Sequence, residues 1–144
     1  MSQLGLIAEQ ICTKIKHEME SRAYKAANEL RNAELEVNNG QRGGRIYTVP
    51  GTKAKYQASA PGQPPAVRTG AFRLSWQPQA YVMFGSYISR IESDLQVGSK
   101  RSYTLGDLLE KGTSRMAPRP HHDRILKKAE PEIVKIYSRD YNIL

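Results

Sequence analysis

The chain has 144 residues, 39% of them hydrophobic, with 22 Lys and Arg against 14 Asp and Glu for a net charge of +8. That length suits a single domain, residues 1–144, and excludes a two-domain enzyme with a large interdomain cleft. A lone cysteine, Cys12, excludes an intramolecular disulfide framework and a multi-cysteine zinc site.

No apolar run approaches the roughly 18–20 residues that span a bilayer. No basic stretch leads into an apolar one at the N-terminus, so neither a signal peptide nor a membrane partner is expected.

Residues 2–36 predict one long amphipathic helix. Leu4, Ile7, Ile11, Ile15, Met19, Ala23, Ala26, Leu30, Ala33 and Val37 recur at steps of three and four. Ser2 is its candidate N-cap, and Asn38-Asn39-Gly40 its stop, since Asn and Gly tolerate the left-handed conformation. Cys12 falls in the apolar half, where a small packing residue is expected.

Residues 38–70 predict a long, extended, basic loop or arm. Six glycines and four prolines break it up, and only 45–49 carries a strand-like pattern. Residues 80–84 and 87–92 read as two strands joined by a Gly85-Ser86 turn, with Leu95, Val97 and Ser99 a third. Phe72, Leu74 and Trp76 either start the sheet or form a helical turn, and Trp76 reads as a core or interface anchor.

Thr104 to Asp107 resembles a capping box opening a short helix that stops at Gly112. A last helix covers roughly 121–140, with Pro131 expected to kink or split it. The fold class is therefore α+β: a long N-terminal helix, an antiparallel sheet of about three to four strands, a short helix and a C-terminal helix.

The charge is uneven. Between Val37 and Ile91 there is no acidic residue, while Arg42, Arg45, Lys53, Lys55, Arg68, Arg73 and Arg90 supply +7 of the +8. That asymmetry marks a local basic surface. Tyr47, Tyr56, Phe72, Trp76, Tyr81 and Tyr87 interleave with it, which makes a small nucleic-acid-binding module the alternative reading.

Chemistry is otherwise sparse. There is no dinucleotide fingerprint, phosphate loop or nucleophile elbow. His121 and His122 are adjacent and point about 100° apart on a helix, so they are poorly placed to share a metal. No catalytic constellation, metal or cofactor is expected.

What stands out is an ordered set of turn-like stretches: Pro61-Gly62-Gln63-Pro64-Pro65, Thr69-Gly70-Ala71-Phe72-Arg73-Leu74-Ser75, Glu110-Lys111-Gly112-Thr113 and Arg119-Pro120. The set resembles the tail-completion, or neck, proteins of long-tailed bacteriophages, also called minor tail components. That family resembles this chain in a Pro-Gly-x-Pro-Pro loop, a Thr-Gly-x-Leu-Arg-x-Ser stretch, a Glu-x-Gly-Thr after a short helix, and an Arg-Pro before the last helix. The likeness covers about residues 59–137. Phe72 stands where Leu is usual, and Tyr103-Thr104 where a Tyr-Ala pair is usual.

The resemblance implies a non-enzymatic virion protein at the head–tail junction, made in the cytoplasm of a bacterial host. It implies a tail-terminator-like subunit of a ring, most often hexameric. Its neighbours would be stopper or connector proteins and the tail tube, with non-specific contact to packaged DNA. Arg42, Arg45, Lys53, Lys55 and Arg68 are then the candidate assembly or DNA-channel contacts. Arg119 has Glu110 as candidate partner, the alternative being a solvated Arg119.

Overall fold

In the computed structural model residues 2–100 and 103–142 are described. Helix α1 (Gln3–Val37) starts where the sequence places it: the Ser2 hydroxyl accepts the Gly5 N–H at 3.2 Å, which satisfies one of the helix's free amides. Its end is built differently from expectation. Asn38 is right-handed (φ −81°), and its side-chain amide donates back to Glu34 Oε1 at 2.7 Å. A polar clamp, with Arg31 also paired to Glu34, replaces the left-handed stop.

Ala23, Ala26, Ala27 and Ala33 are buried along α1, and these small side chains let neighbouring elements approach closely. Helix α4 (His122–Ser138) covers the second half of α1. Leu30 and Ala33 meet Ile125 and Ala129, with Val37, Ile91 and Ile133 packed around them. Arg22, buried, ties down the far end of α4: its guanidinium donates to the carbonyls of Tyr137 (3.3 Å) and Asp140 (2.8 Å) and lies over the Tyr141 ring.

Pro131 lies within α4, yet the helix runs unbroken. Pro131 and Lys127 are both exposed, so the Lys127 carbonyl that loses its helical donor lies on the side open to water, where it can tilt away from the proline ring.

Strands β1 (Ile46–Thr48) and β2 (Lys55–Gln57) pair antiparallel with Tyr47 opposite Tyr56. Helix α2 (Ala71–Leu74) is a single turn. Strands β3 (Trp76–Met83) and β4 (Ser86–Ser93) form a long hairpin with Trp76 opposite Ser93 and Met83 opposite Ser86. It packs on α1, where the Ser89 hydroxyl donates to the Ala23 carbonyl at 2.6 Å. Strands β5 (Gln96–Val97) and β6 (Tyr103–Thr104) make a third pair, followed by helix α3 (Leu105–Lys111).

The α+β class holds, with three corrections. The expected sheet of three to four strands is three separate antiparallel pairs. Gly98, at φ +103°, turns the chain so that β5 pairs with β6 instead of widening the main hairpin. Residues 38–70 are not one extended loop, because they contain the β1–β2 hairpin. The main turn is Phe84-Gly85, one residue earlier than expected, with both residues at positive φ (50° and 75°); that backbone twist matches paired strands.

Thr104 does stand at the N-cap of α3, but among the described residues its hydroxyl makes no capping bond. Cys12 is exposed instead of packed. No helix among the described residues is long and apolar enough to cross a membrane.

Candidate functional site

The four stretches that carry the family resemblance fall in two pairs along the sequence, 61–65 with 69–75 and 110–113 with 119–120. Three of them, 61–65, 110–113 and 119–120, are tied together through hydrogen bonds to residues immediately beside them, Ser59, Ala60, Leu109, Pro118, His121 and His122, and residues of 69–75 line a cavity with Arg119. The turn at 60–63 closes with Gln63 N–H donating to the Ala60 carbonyl at 3.0 Å. Pro61 presets its second position, and Gly62, at φ +78°, supplies the left-handed third. The Gln63 side-chain oxygen accepts from Ala60 N (2.9 Å) and Gly43 N (2.8 Å), while Ser59 Oγ donates to the Pro64 carbonyl.

Arg119 enters this turn from the other side. Its guanidinium donates to the carbonyls of Ser59 and Ala60. Thus Arg119 neither pairs with Glu110 nor is solvated, which corrects both expectations: two neighbouring backbone acceptors need a donor, and a guanidinium fork fits them. Arg124 donates to the Gly62 carbonyl at 2.9 Å, and Gly62 N–H donates to that of Pro118 at 3.3 Å.

Glu110 has a different task. Its Oε2 accepts the backbone N–H of His121 (2.9 Å) and of His122 (3.3 Å). His121 stands at the N-cap of α4 and, among the described residues, supplies no side-chain capping bond of its own. Glu110 therefore caps α4 from a separate helix, with negative charge at the positive end of the helix dipole.

Gly112 ends α3 at φ +76°; a Cβ there would stand 2.8 Å from both the Met116 carbonyl and Pro118 N. Only glycine fits. Thr113 follows with a tight bridge, its N–H donating to the Met116 carbonyl at 2.8 Å. Thr69 and Gly70 open α2, where the Gly70 carbonyl accepts the Leu74 N–H at 2.9 Å. Pro120 leads into the buried His121.

Sequence reasoning missed His121. It is 0% exposed and packs edge-on against Phe72 (5.5 Å) and Trp76 (5.8 Å). Its Nδ1 lies 2.9 Å from the Arg119 carbonyl and 2.9 Å from Glu110 Oε2. A carbonyl only accepts, so Nδ1 carries the proton. Glu110, His121 and His122 do bring ligand atoms within 4.8 Å of one another. With its proton committed to Arg119, however, the His121 Nδ1 works as a hydrogen-bond donor in the cap rather than as a metal ligand.

Burial lowers the His121 pKa below that of an ordinary histidine, and nearby His122 adds to this; the Arg119 carbonyl and Glu110 pull it partly back. For Glu110, burial pushes the pKa up, but the two backbone N–H donors together with the nearby His121 and His122 leave the carboxyl below the usual range.

Both shifts make the unfolded chain the better proton binder. Stability should therefore fall as pH drops from about 6.5, where unfolded histidine protonates, and fall again near about 4.3 for the carboxylate. Urea midpoints between pH 7.5 and 3.5 check this. In His121→Phe the step between pH 7 and 5.5 should flatten, and a profile parallel to the wild type would contradict the assignment.

The basic residues separate. Arg42 turns inward: its five N–H groups reach the carbonyls of Val37, Gly40 and Gln41 and, twice, Pro65, at 2.7–3.1 Å. It clamps the end of α1 to the 61–65 loop. Arg45, Lys53 and Lys55 are exposed and share the β1–β2 hairpin, beside the Tyr47–Tyr56 ring pair at 6.0 Å. Arg68 sits apart from them, exposed at the rim of a cavity of about 410 Å³.

That cavity is lined by Tyr56, Val67, Phe72, Leu95, Leu105, Leu109 and Met116, with Asn38 and Arg73 contributing polar groups. Asn38 Oδ1 and Arg73 Nε are both buried and have no hydrogen-bond partner among the described residues. Comparison with family models, with curated proteins and with solved structures gives no match.

Proposed function

We propose that the chain is a structural, non-enzymatic subunit of a phage neck: a tail-completion or tail-terminator-like protein that forms a ring around the DNA path at the head–tail junction. The observation that carries this reading is the convergence of the motif stretches. Arg42 ties the end of α1 to Pro65, Arg119 holds Ser59 and Ala60 at the start of the same loop, and Glu110 caps the start of α4, so residues in or next to the stretches build one corner between α1 and α4. Residues in a shared motif with purely architectural roles suit a protein whose work is to hold a shape and assemble.

On this reading the β1–β2 hairpin, with Arg45, Lys53 and Lys55, is the surface that meets packaged DNA or an acidic neighbour in the neck or tail tube. The nucleic-acid-module alternative is weakened by the packing of Phe72 and Trp76 against His121, which takes those rings out of any base-stacking platform. Electron microscopy of the purified chain, alone and with tail-tube protein, tests the proposal. Rings of uniform size, hexameric on the family likeness, are expected. A chain that stays monomeric and is absent from tailed particles would overturn it.

A further inference from the structure

The main hairpin has a hole at one end and a knob at the other. At the base, Ser75 and Ser93 hydroxyls meet at 2.5 Å, and the cavity opens beside them: Phe72 and Arg73 precede β3, Leu95 follows β4, and all three line it. At the tip, Phe84 is 96% exposed, flanked by exposed Val82 and Met83.

Phe84 also holds φ +50° in a two-residue turn. Asn and Gly are the usual residues there, and Phe is strained. Local stability does not explain an aromatic at this position.

We infer that the Phe84 tip of one copy inserts into the cavity of a second copy, joining subunits head to tail. The cavity's volume of about 410 Å³ lies within the roughly 300–1,000 Å³ of pockets that enclose a ligand, and its walls are mostly apolar. Asn38, Arg68, Arg73 and Arg119 add polar side chains to the lining.

The tip cannot fill its own cavity. The eight residues of β3 hold knob and hole on the order of 25 Å apart. One surface of a subunit therefore meets a different surface of the next, which is the contact type that generates rings.

Phe84 alone buries on the order of 150–250 Å², short of the roughly 800 Å² a side of a stable pair. Val82 and Met83 enlarge the knob. The first turns of α1, where Leu4 is 78% exposed and Leu6 and Ile7 are also exposed, add further unpartnered apolar surface.

The inference rests on the ring reading, and the test separates the two. Phe84→Asn suits the turn better, so its melting temperature should match or exceed the wild type. Its self-association constant should nevertheless fall at least tenfold. In a Cys12→Ser background, a Phe84→Cys chain mixed with a Val67→Cys chain should form mixed disulfide pairs on mild oxidation.

Wild-type-like assembly of Phe84→Asn would overturn the knob and leave the ring standing. Phe84→Cys chains linking only to each other would show tip-to-tip contact and overturn it as well. A wild-type chain with no self-association, alone or with tail-tube protein, would overturn both.

Discussion

Glu110→Ala is expected to lower stability by about 2–4 kcal/mol, the sum of a lost helix cap, at about 1 kcal/mol, and the part-buried His121 N–H left without its acceptor, at about 1–3 kcal/mol. The variant removes the acceptor for His121 N–H (2.9 Å) and His122 N–H (3.3 Å), and one of the two acceptors at His121 Nδ1. His121 is buried, so water does not freely replace the oxygen. Glu110→Gln keeps an acceptor oxygen and loses only the charge at the helix N-terminus, so about 1 kcal/mol is expected. Urea unfolding at pH 7 gives the ranking. If Ala and Gln cost the same, or if Ala lies within about 0.5 kcal/mol of wild type as ordinary surface changes do, Glu110 is not the cap of α4.

The contrast between Glu110 and Arg119 shows what a sequence conveys and what it does not. Opposite charges near one another suggest an ion pair. In the fold each side chain instead serves backbone groups: Glu110 takes N–H donors, Arg119 takes carbonyls. Buried backbone groups require partners, but which carbonyls become buried depends on the tertiary arrangement and leaves no mark on local pattern.

Elements with a local signature were legible. The ten apolar positions of α1 and its Ser2 cap placed that helix within a residue or two of Gln3–Val37; of the two strands read at 80–84 and 87–92, the second matches β4 within a residue, while β3 begins four residues earlier than read, at Trp76. The turn slipped by one residue because Phe84 sits where propensity argues against it. The stripe of Leu4 and Ile7 was real as periodicity, yet in one chain it stays exposed; a repeat of apolar residues identifies a face and not the molecule that covers it. The number of strand pairs was illegible for the same reason, since pairing between segments is a long-range choice.

Arg42→Ala is expected to cost about 2–4 kcal/mol, whereas Lys53→Glu with Lys55→Glu should leave stability within about 0.5 kcal/mol, since large effects need a buried network and surface charges seldom form one. The Arg42 guanidinium has its five donors on the carbonyls of Val37 at the end of α1, of Gly40 and Gln41 just beyond it, and of Pro65. Those of Gly40 and Gln41 lie in exposed residues and can turn to water. Pro65 is buried and Val37 partly so, and their oxygens would be left without a donor. Burial, with Arg124 nearby, pulls the guanidinium pKa below its ordinary value.

Arg42→Lys keeps the charge but not the planar fork, and should recover less than half of the loss. The two lysines behave oppositely if they face DNA or an acidic partner: their reversal should weaken particle assembly or DNA retention while the thermal midpoint stays put. Measuring melting temperature and DNA retention on the same three variants therefore splits the +7 of the acid-free segment into charge that builds the subunit and charge that meets a neighbour. A destabilised Lys53→Glu, Lys55→Glu chain, or a fully stable Arg42→Ala, would show that the division is drawn in the wrong place.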